Sequence, residues 1–407
     1  MSTAAPTIRF LDQSTPPHIL TLVIIAGLSA ATMNIYLPSL PQMATHFDSE
    51  YRTMQLSVSL YLATNAVLQL FLGPLSDRYG RRTVMLTACG LFCIATIGTL
   101  IAPTVEVFLL CRMAQAVIVA GLVLGRAVVR DIVADAQAAS MIGYVTMGMA
   151  LVPMAAPMVG GLLQGTFGWQ ASFWLLLILG LATMALVWRD MGETAPMSGG
   201  DIAKQFREAP ELFTSRRFWG YCLTMTFCSG AFFAYLGGGP FVGEVVFGLD
   251  PVILGFVLGA PAVGYAAGNW VSGHFSVRLG INRMVVLGCV IAAAGMALPL
   301  ALFYAGHESI LVFFGSMVFV GLGNGITLPN ATAGMLSVRP RLAGTASGLG
   351  GAMMIGGGAA LSALAGALLD ESTGALPLLW VMWLSSIAGL LCIAYVLRRE
   401  RTLALGG

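Results

Sequence analysis

The sequence predicts an all-α integral membrane protein of twelve transmembrane helices in two six-helix halves. Three observations carry that prediction: an apolar composition, twelve apolar runs of spanning length, and basic residues confined to alternate loops. Of 407 residues, 57% are hydrophobic and 9% are charged. A soluble domain carries about 25% charged residues and could not hide so much apolar surface in one core. The 50 glycines suit helices that pack closely where lipid supplies no hydrophobic force between them.

The spans fall at 18–40, 54–75, 83–102, 105–127, 141–164, 168–189, 217–240, 252–274, 282–304, 309–330, 342–368 and 373–397. Each is near the roughly 20 residues that cross a hydrocarbon core. A polar, charge-rich segment at 190–216 divides six spans from six. The expected organisation is therefore an N-terminal half (1–189), a solvated linker (190–216) and a C-terminal half (217–407). With both termini in the cytoplasm, 18 of the 20 Lys and Arg lie on that side. Arg52 alone falls outside and Arg112 alone falls within a span, the asymmetry that the positive-inside rule requires. The first 17 residues hold one basic residue, and no small-residue cleavage site follows the first apolar run. A first helix that stays as an anchor is expected.

Other classes find little support. The seven cysteines all lie in apolar stretches and read as packing residues, without disulfides. No metal-ligand cluster and no basic nucleic-acid patch is present, and no cofactor is expected. His18, His46, His274 and His307 are scattered over distant loops and ends, which argues against a membrane enzyme.

The halves echo one another. Gly73-Pro74-Leu75-Ser76-Asp77-Arg78-Tyr79-Gly80-Arg81-Arg82 follows span 2, and Gly273-His274-Phe275-Ser276-Val277-Arg278-Leu279-Gly280-Ile281-Asn282 follows span 8. Tyr36-Leu37 with Pro41 is matched by Tyr235-Leu236 with Pro240. A same-sense repeat of six helices implies an axis along the membrane normal and a substrate near midplane between the halves.

The loop at 73–82 resembles the signature of the major facilitator superfamily between helices 2 and 3. Asn34-Ile35-Tyr36-Leu37-Pro38-Ser39-Leu40-Pro41, Arg126-Ala127-Val128-Val129-Arg130-Asp131 and Gly239-Pro240-Phe241 are similar to the bicyclomycin and chloramphenicol resistance (Bcr/CflA) branch of its drug:proton antiporters. The resemblance implies a monomeric carrier in a bacterial inner membrane, exporting small drug-like molecules in exchange for protons. It assigns gating to Asp77, Arg78 and Arg81. It ties Arg112, in Arg112-Met113-Ala114-Gln115-Ala116, to proton coupling, with Ala116 where the family has Gly. Gly143, Pro153, Pro157, Gly160 and Gly161 in span 5 resemble the antiporter motif that bends that helix and lets it pack tightly.

One departure stands out. The branch usually has Asp where this chain has Asn34, and all 18 Asp and Glu fall at helix ends or in loops. An amide binds neither a proton nor a cation at neutral pH, though it still donates and accepts hydrogen bonds. The cavity is then neutral to positive, which favours neutral or zwitterionic substrates, amphenicols among them. A proton needs another site: Asp77, His274, Glu244 or water near Arg112. A uniporter, or a metabolite transporter of the same fold, is the alternative. The substrate surface is expected at Asn34, Tyr36, Tyr61, Asn65, Arg112, Gln115, Met147, Phe232, Tyr235, Tyr265, Asn324 and Asn330. Aromatic and Met side chains make adaptable walls there, and sparse amides orient a ligand.

Overall fold

A computed structural model describes residues 9–132, 152, 155–194, 211–212, 214–339, 342–370 and 372–405. Six passes form a first bundle: α1 (Ile19–His46), α2 (Tyr51–Tyr79), α3 (Arg81–Leu100), α4 (Val105–Val129), the end of α5 at 155–167, and α6 (Gln170–Asp190). Six form a second: α7 (Arg216–Phe241), α8 (Pro251–Leu279), α9 (Ile281–Tyr304), α10 (Ile310–Ser337), α11 (Ala343–Leu368) and α12 (Leu376–Leu405). The expected positions Gly143, Met147 and Pro153, and most of the linker, lie outside the described residues.

Among the described residues, ten helices are long and apolar enough to cross a membrane. The other two are α5, described only at its end, and α7. The apolarity of α7 is diluted by Thr224, Thr226, Ser229 and a run of glycines, and the reason is its position. Twenty of its 26 residues are buried against other helices, so protein rather than lipid is its main solvent. Several helices overrun their expected spans on the arginine-rich face: α2 reaches Tyr79, α8 Leu279 and α10 Ser337. Apolarity stops at the first charges, whereas backbone hydrogen bonding continues through the headgroup region.

Three passes are broken where the sequence supplies the means. α1 is α-helical to Asn34, tightens to a 3₁₀ turn at Leu37–Ser39 and resumes at Leu40. Pro38 and Pro41 have no N–H to continue the ladder. α4 tightens at Ala116–Val119, directly after Gln115. α8 breaks at Gly259, two residues before Pro261. The repeated loop also finds its explanation: Gly80 and Gly280 join α2 to α3 and α8 to α9 at φ of 91° and 83°. A side chain is strained in that region of backbone space, which requires glycine at both ends of the repeat.

The bundles touch along two seams. α5 meets α8 through glycines: a Cβ on Gly161 would lie 3.2 Å from Gly255 Cα and collide with the Pro251 carbonyl. α2 meets α11 where Gln55 Nε2 donates to Ser362 O at 2.7 Å and to Ser362 Oγ at 2.9 Å. Beside it, Tyr51 Oη donates to Gly237 O of α7 at 2.7 Å. Tyr51 and Pro251 are the first residues of their helices, so these contacts lie at the face opposite the arginines. Lower down, α2 and α11 remain adjacent, with Gly351 facing Gln69.

Gly255→Val should therefore weaken the seam, lowering stability by about 1–3 kcal/mol through overpacking. Gly273→Ala, whose Cβ would meet nothing within 4 Å, should be near neutral. Thermal unfolding of both variants in detergent checks this; equal midpoints would refute the close approach.

Candidate functional site

Arg112 is fully buried on α4, one turn before the helix tightens. Its guanidinium lies 4.2 Å from the ring centre of Tyr36 (α1), 4.6 Å from that of Tyr61 (α2) and 6.0 Å from that of Phe173 (α6). Nη1 donates to Gln115 Oε1 at 2.6 Å, a contact that three-residue helical spacing allows. Nη2 donates to Thr32 O at 3.3 Å, and Nε is buried without a partner. Gln115 passes the chain on, donating to Thr96 Oγ1 of α3 at 2.7 Å, which in turn bonds Phe92 O. Ring faces substitute for a counter-ion here, each desolvated cation–π contact being worth about 2 kcal/mol. Among the described residues no carboxylate pairs with Arg112.

Tyr36, Tyr61, Arg112 and Gln115 are thus brought together inside the first bundle. Asn34 lies close by in the chain, but Nδ2 donates to Ala30 O at 2.7 Å and Oδ1 is buried without a partner. The Tyr61 hydroxyl is likewise unpartnered, while Tyr36 Oη shares a 3.3 Å hydrogen bond with Ser57. Asn65 Oδ1 accepts from Gln69 at 2.6 Å. In the second bundle Tyr235 Oη donates to Val257 O at 3.2 Å, and Asn330 donates to Ser272 Oγ and Ile326 O, both at 2.8 Å. Those contacts hold their own bundle together. Asn324 Oδ1 is buried and unpartnered, and Phe232 and Tyr265 are half-buried. Pro157, Gly160 and Gly161 wedge α5 between α1 and α8. A Cβ on Gly160 would strike the Ile35 carbonyl, and the Pro157 carbonyl faces Gly255.

The loop at 73–82 forms an ion-pair cluster at the arginine-rich face. The sequence left the partner of Asp77 open. It is Arg81, at 2.6 Å, and Arg81 also reaches Asp131 on the continuation of α4 at 3.2 Å. Arg78 lies against the Tyr79 ring instead. Two participants went unassigned in the sequence. Glu193, just past α6, accepts from the backbone N–H groups of Arg81 at 2.7 Å and Arg82 at 3.3 Å, at the N-terminus of α3. The second bundle has a counterpart in Glu400 near the end of α12, which meets side chains rather than backbone N–H groups. Glu400 pairs with Arg217 at 2.5 Å and accepts from Asn282 at 2.6 Å, the position that echoes Arg82. The Asp77–Arg81 pair has no such echo, because Val277 and Ile281 stand there. Asp190, read as a linker residue, is fully buried and accepts from Leu11 N, His18 N and Thr21 Oγ1 at 2.6–2.9 Å. Helix-end spacing gave no hint of that contact with the N-terminal segment.

Of the remaining proton-site expectations, His274 is exposed and stacks on Trp270, ring centres 5.6 Å apart. Glu244 differs. It sits past the end of α7 in a π turn, Val242–Val246, and its Oε2 is buried without a partner. Tyr51 of α2 is its titratable neighbour across the seam. Arg52, one residue on, is paired with Glu50 at 3.0 Å, and Asp250 at the start of α8 caps Val252 and Ile253. Burial pushes the Glu244 carboxyl up to about 7. Its neutral form is favoured where the seam is shut and its ionised form where water enters. The seam should therefore be tightest below about pH 4.5, the ordinary carboxyl value, and loosen as pH rises from there to about 7. Spin-label distances between positions 52 and 245 should lengthen between about pH 4.5 and 7.5, and Glu244→Gln should abolish the change; a persisting response would refute it.

Comparison with known proteins matches this arrangement. The description "Major Facilitator Superfamily" fits residues 22–363. The chain is 28% identical to an uncharacterized MFS-type transporter, YdgK, of Bacillus subtilis, covering 93% of this chain and 95% of that one. It is 28% identical to multidrug resistance protein D of Escherichia coli, over 89% and 92% of the two chains. It is 30% identical to a chloramphenicol resistance protein of Pseudomonas aeruginosa, over 91% and 88%. Among solved structures, an inward-facing, occupied bacterial homolog of the human lysosomal transporter Spinster superposes with a TM-score of 0.72 at 16% identity, covering 94% and 96% of the chains. The xylose transporter XylE of E. coli, partially occluded and inward open, gives 0.72 at 14%, covering 93% and 96%. Twelve helical passes in two bundles, the loop at 73–82 and a family match over most of the length lead to one conclusion: this chain is a multi-pass membrane transporter, not an enzyme, and belongs to the Major Facilitator Superfamily.

Proposed function

We propose that the protein exports small drug-like compounds, neutral or zwitterionic and possessing an aromatic or polar face, in exchange for protons by alternating access. The observation that carries this reading is the caged Arg112, which pairs with no carboxylate among the described residues. A site lined by a buried arginine, with carboxylates only at helix ends or in loops, disfavours lipophilic cations. Relatives whose names record chloramphenicol, bicyclomycin and multidrug resistance support drug-like cargo. The positive-inside rule supports an arginine-rich face and both termini in the cytoplasm, and the bacterial relatives support a bacterial inner membrane. The glycine seams then close the outer side, and the Asp77–Arg81–Asp131 cluster steadies the inner end of the first bundle as it rocks. Asn34 favours one second reading, an uncoupled carrier or metabolite transporter, because an amide in helix 1 holds no proton.

Chloramphenicol flux into proteoliposomes, with and without an imposed pH gradient, tests the assignment. Gradient-driven flux is expected with Asn34 in place. Flux coupled only in Asn34→Asp would mean an uncoupled carrier, and no flux in either would favour the metabolite reading. Arg112→Ala should abolish gradient-driven flux, by at least tenfold, while circular dichroism shows the helices intact. Wild-type flux in that variant would end the assignment.

A further inference from the structure

We propose that the crease between α7 and α12, on the outer surface of the second bundle, binds an anionic phospholipid. Its phosphate would be held by Arg216 and Arg399, with one acyl chain lying in the crease. The inference is independent of the transported substrate. The crease encloses about 350 Å³, within the size range of small-molecule clefts. On α7, Arg216, Trp219, Gly220 and Leu223 line it, a spacing that puts all four on one helical face. On α12 the opposing wall is Leu391, Cys392 and Tyr395. Arg399 follows one turn beyond Tyr395 on the same face. Gly220 forms the floor, since a Cβ there would collide with Val396. The helices therefore close together at their backbones, and the flanking side chains stand as walls.

Polarity is graded along the crease. Leu223, Leu391 and Cys392 lie deepest in the span, Trp219 and Tyr395 come next, and the arginines stand where both helices leave the apolar region. That order matches a lipid's chain, carbonyl region and phosphate, with aromatic side chains at the interfacial level. The charges are available for such a ligand. Arg216 is exposed, and neither Arg216 nor Arg399 forms an ion pair among the described residues. The neighbouring acid, Glu400, is held by Arg217 and Asn282 and turned toward Tyr221. Basic pockets between helices on one membrane face select anionic headgroups by this electrostatics.

The test uses the purified full-length protein, delipidated in detergent and incubated with dioleoyl phosphatidylglycerol, dioleoyl phosphatidylcholine or inorganic phosphate. Native mass spectrometry counts bound lipid, and thermal unfolding reads its stabilisation. Phosphatidylglycerol should be retained and should raise the midpoint, with phosphatidylcholine and phosphate doing little. Arg216→Gln and Arg399→Gln should each weaken phosphatidylglycerol binding about fivefold and leave phosphatidylcholine binding unchanged. Leu223→Trp, which fills the crease and keeps both arginines, should also displace the lipid. Equal retention of the two lipids, undiminished retention in the double arginine variant, or protection by phosphate alone would overturn the proposal. So would a lipid-independent dimer cross-linked through Trp219 and Tyr395 positions.

Discussion

An arginine is fully buried in the first bundle with no carboxylate beside it among the described residues, and much of that bundle is arranged around the fact. Removing an ion from water costs several kcal/mol even after relaxation. Arg112 offsets this with ring faces from α1, α2 and α6, an amide from its own helix and a carbonyl of α1. Four helices are thereby committed to one guanidinium. The same contacts fix Tyr36 just past Asn34, where α1 gives up its α-helical ladder, and fix Gln115 just before α4 tightens. The helix breaks and the buried charge belong to one local structure, and the unpartnered Arg112 Nε, Tyr61 hydroxyl and Asn34 Oδ1 are its unsatisfied polar atoms.

The two faces of the molecule are held by different physics. At one, helices from opposite bundles meet through glycines and a few amide and hydroxyl hydrogen bonds. Close backbone packing without ion pairs can separate without leaving charges stranded, which suits a seam that opens and closes. At the other face, carboxylates clasp helix starts within each bundle: Glu193 on α3, and Glu400 on Asn282 of α9. An anion at a helix N-terminus is stabilised by the free N–H groups and the dipole there. The asymmetry between bundles resides in Asp77, Arg81 and Asp131, which Val277 and Ile281 do not reproduce.

Much of the fold was legible because lipid imposes simple rules. Apolar length gave twelve passes, and α7 shows where that signal fades, since a helix surrounded by protein need not be apolar. The glycines of the repeated loop were legible as an echo between the halves, and positive φ accounts for two of them, Gly80 and Gly280. The candidate site was partly legible. Arg112 and Gln115 share a helix, so spacing alone paired them; Tyr36, Tyr61 and Phe173 come from three other helices, and only packing gathers them. Tyr235 and Asn330, grouped with these in the sequence by residue type, spend their polar atoms on their own bundle.

The sequence by itself determined how many times the chain crosses the bilayer, which loops are basic, and that the acids sit at helix ends or in loops. These follow from local composition. Only the tertiary structure decided the partners: Arg81 for Asp77, Glu193 for the start of α3, the N-terminal segment for Asp190, and three rings for Arg112. Each joins residues from separate helices or from loops far apart in the chain. Helical periodicity says which residues share a face and nothing about what that face meets.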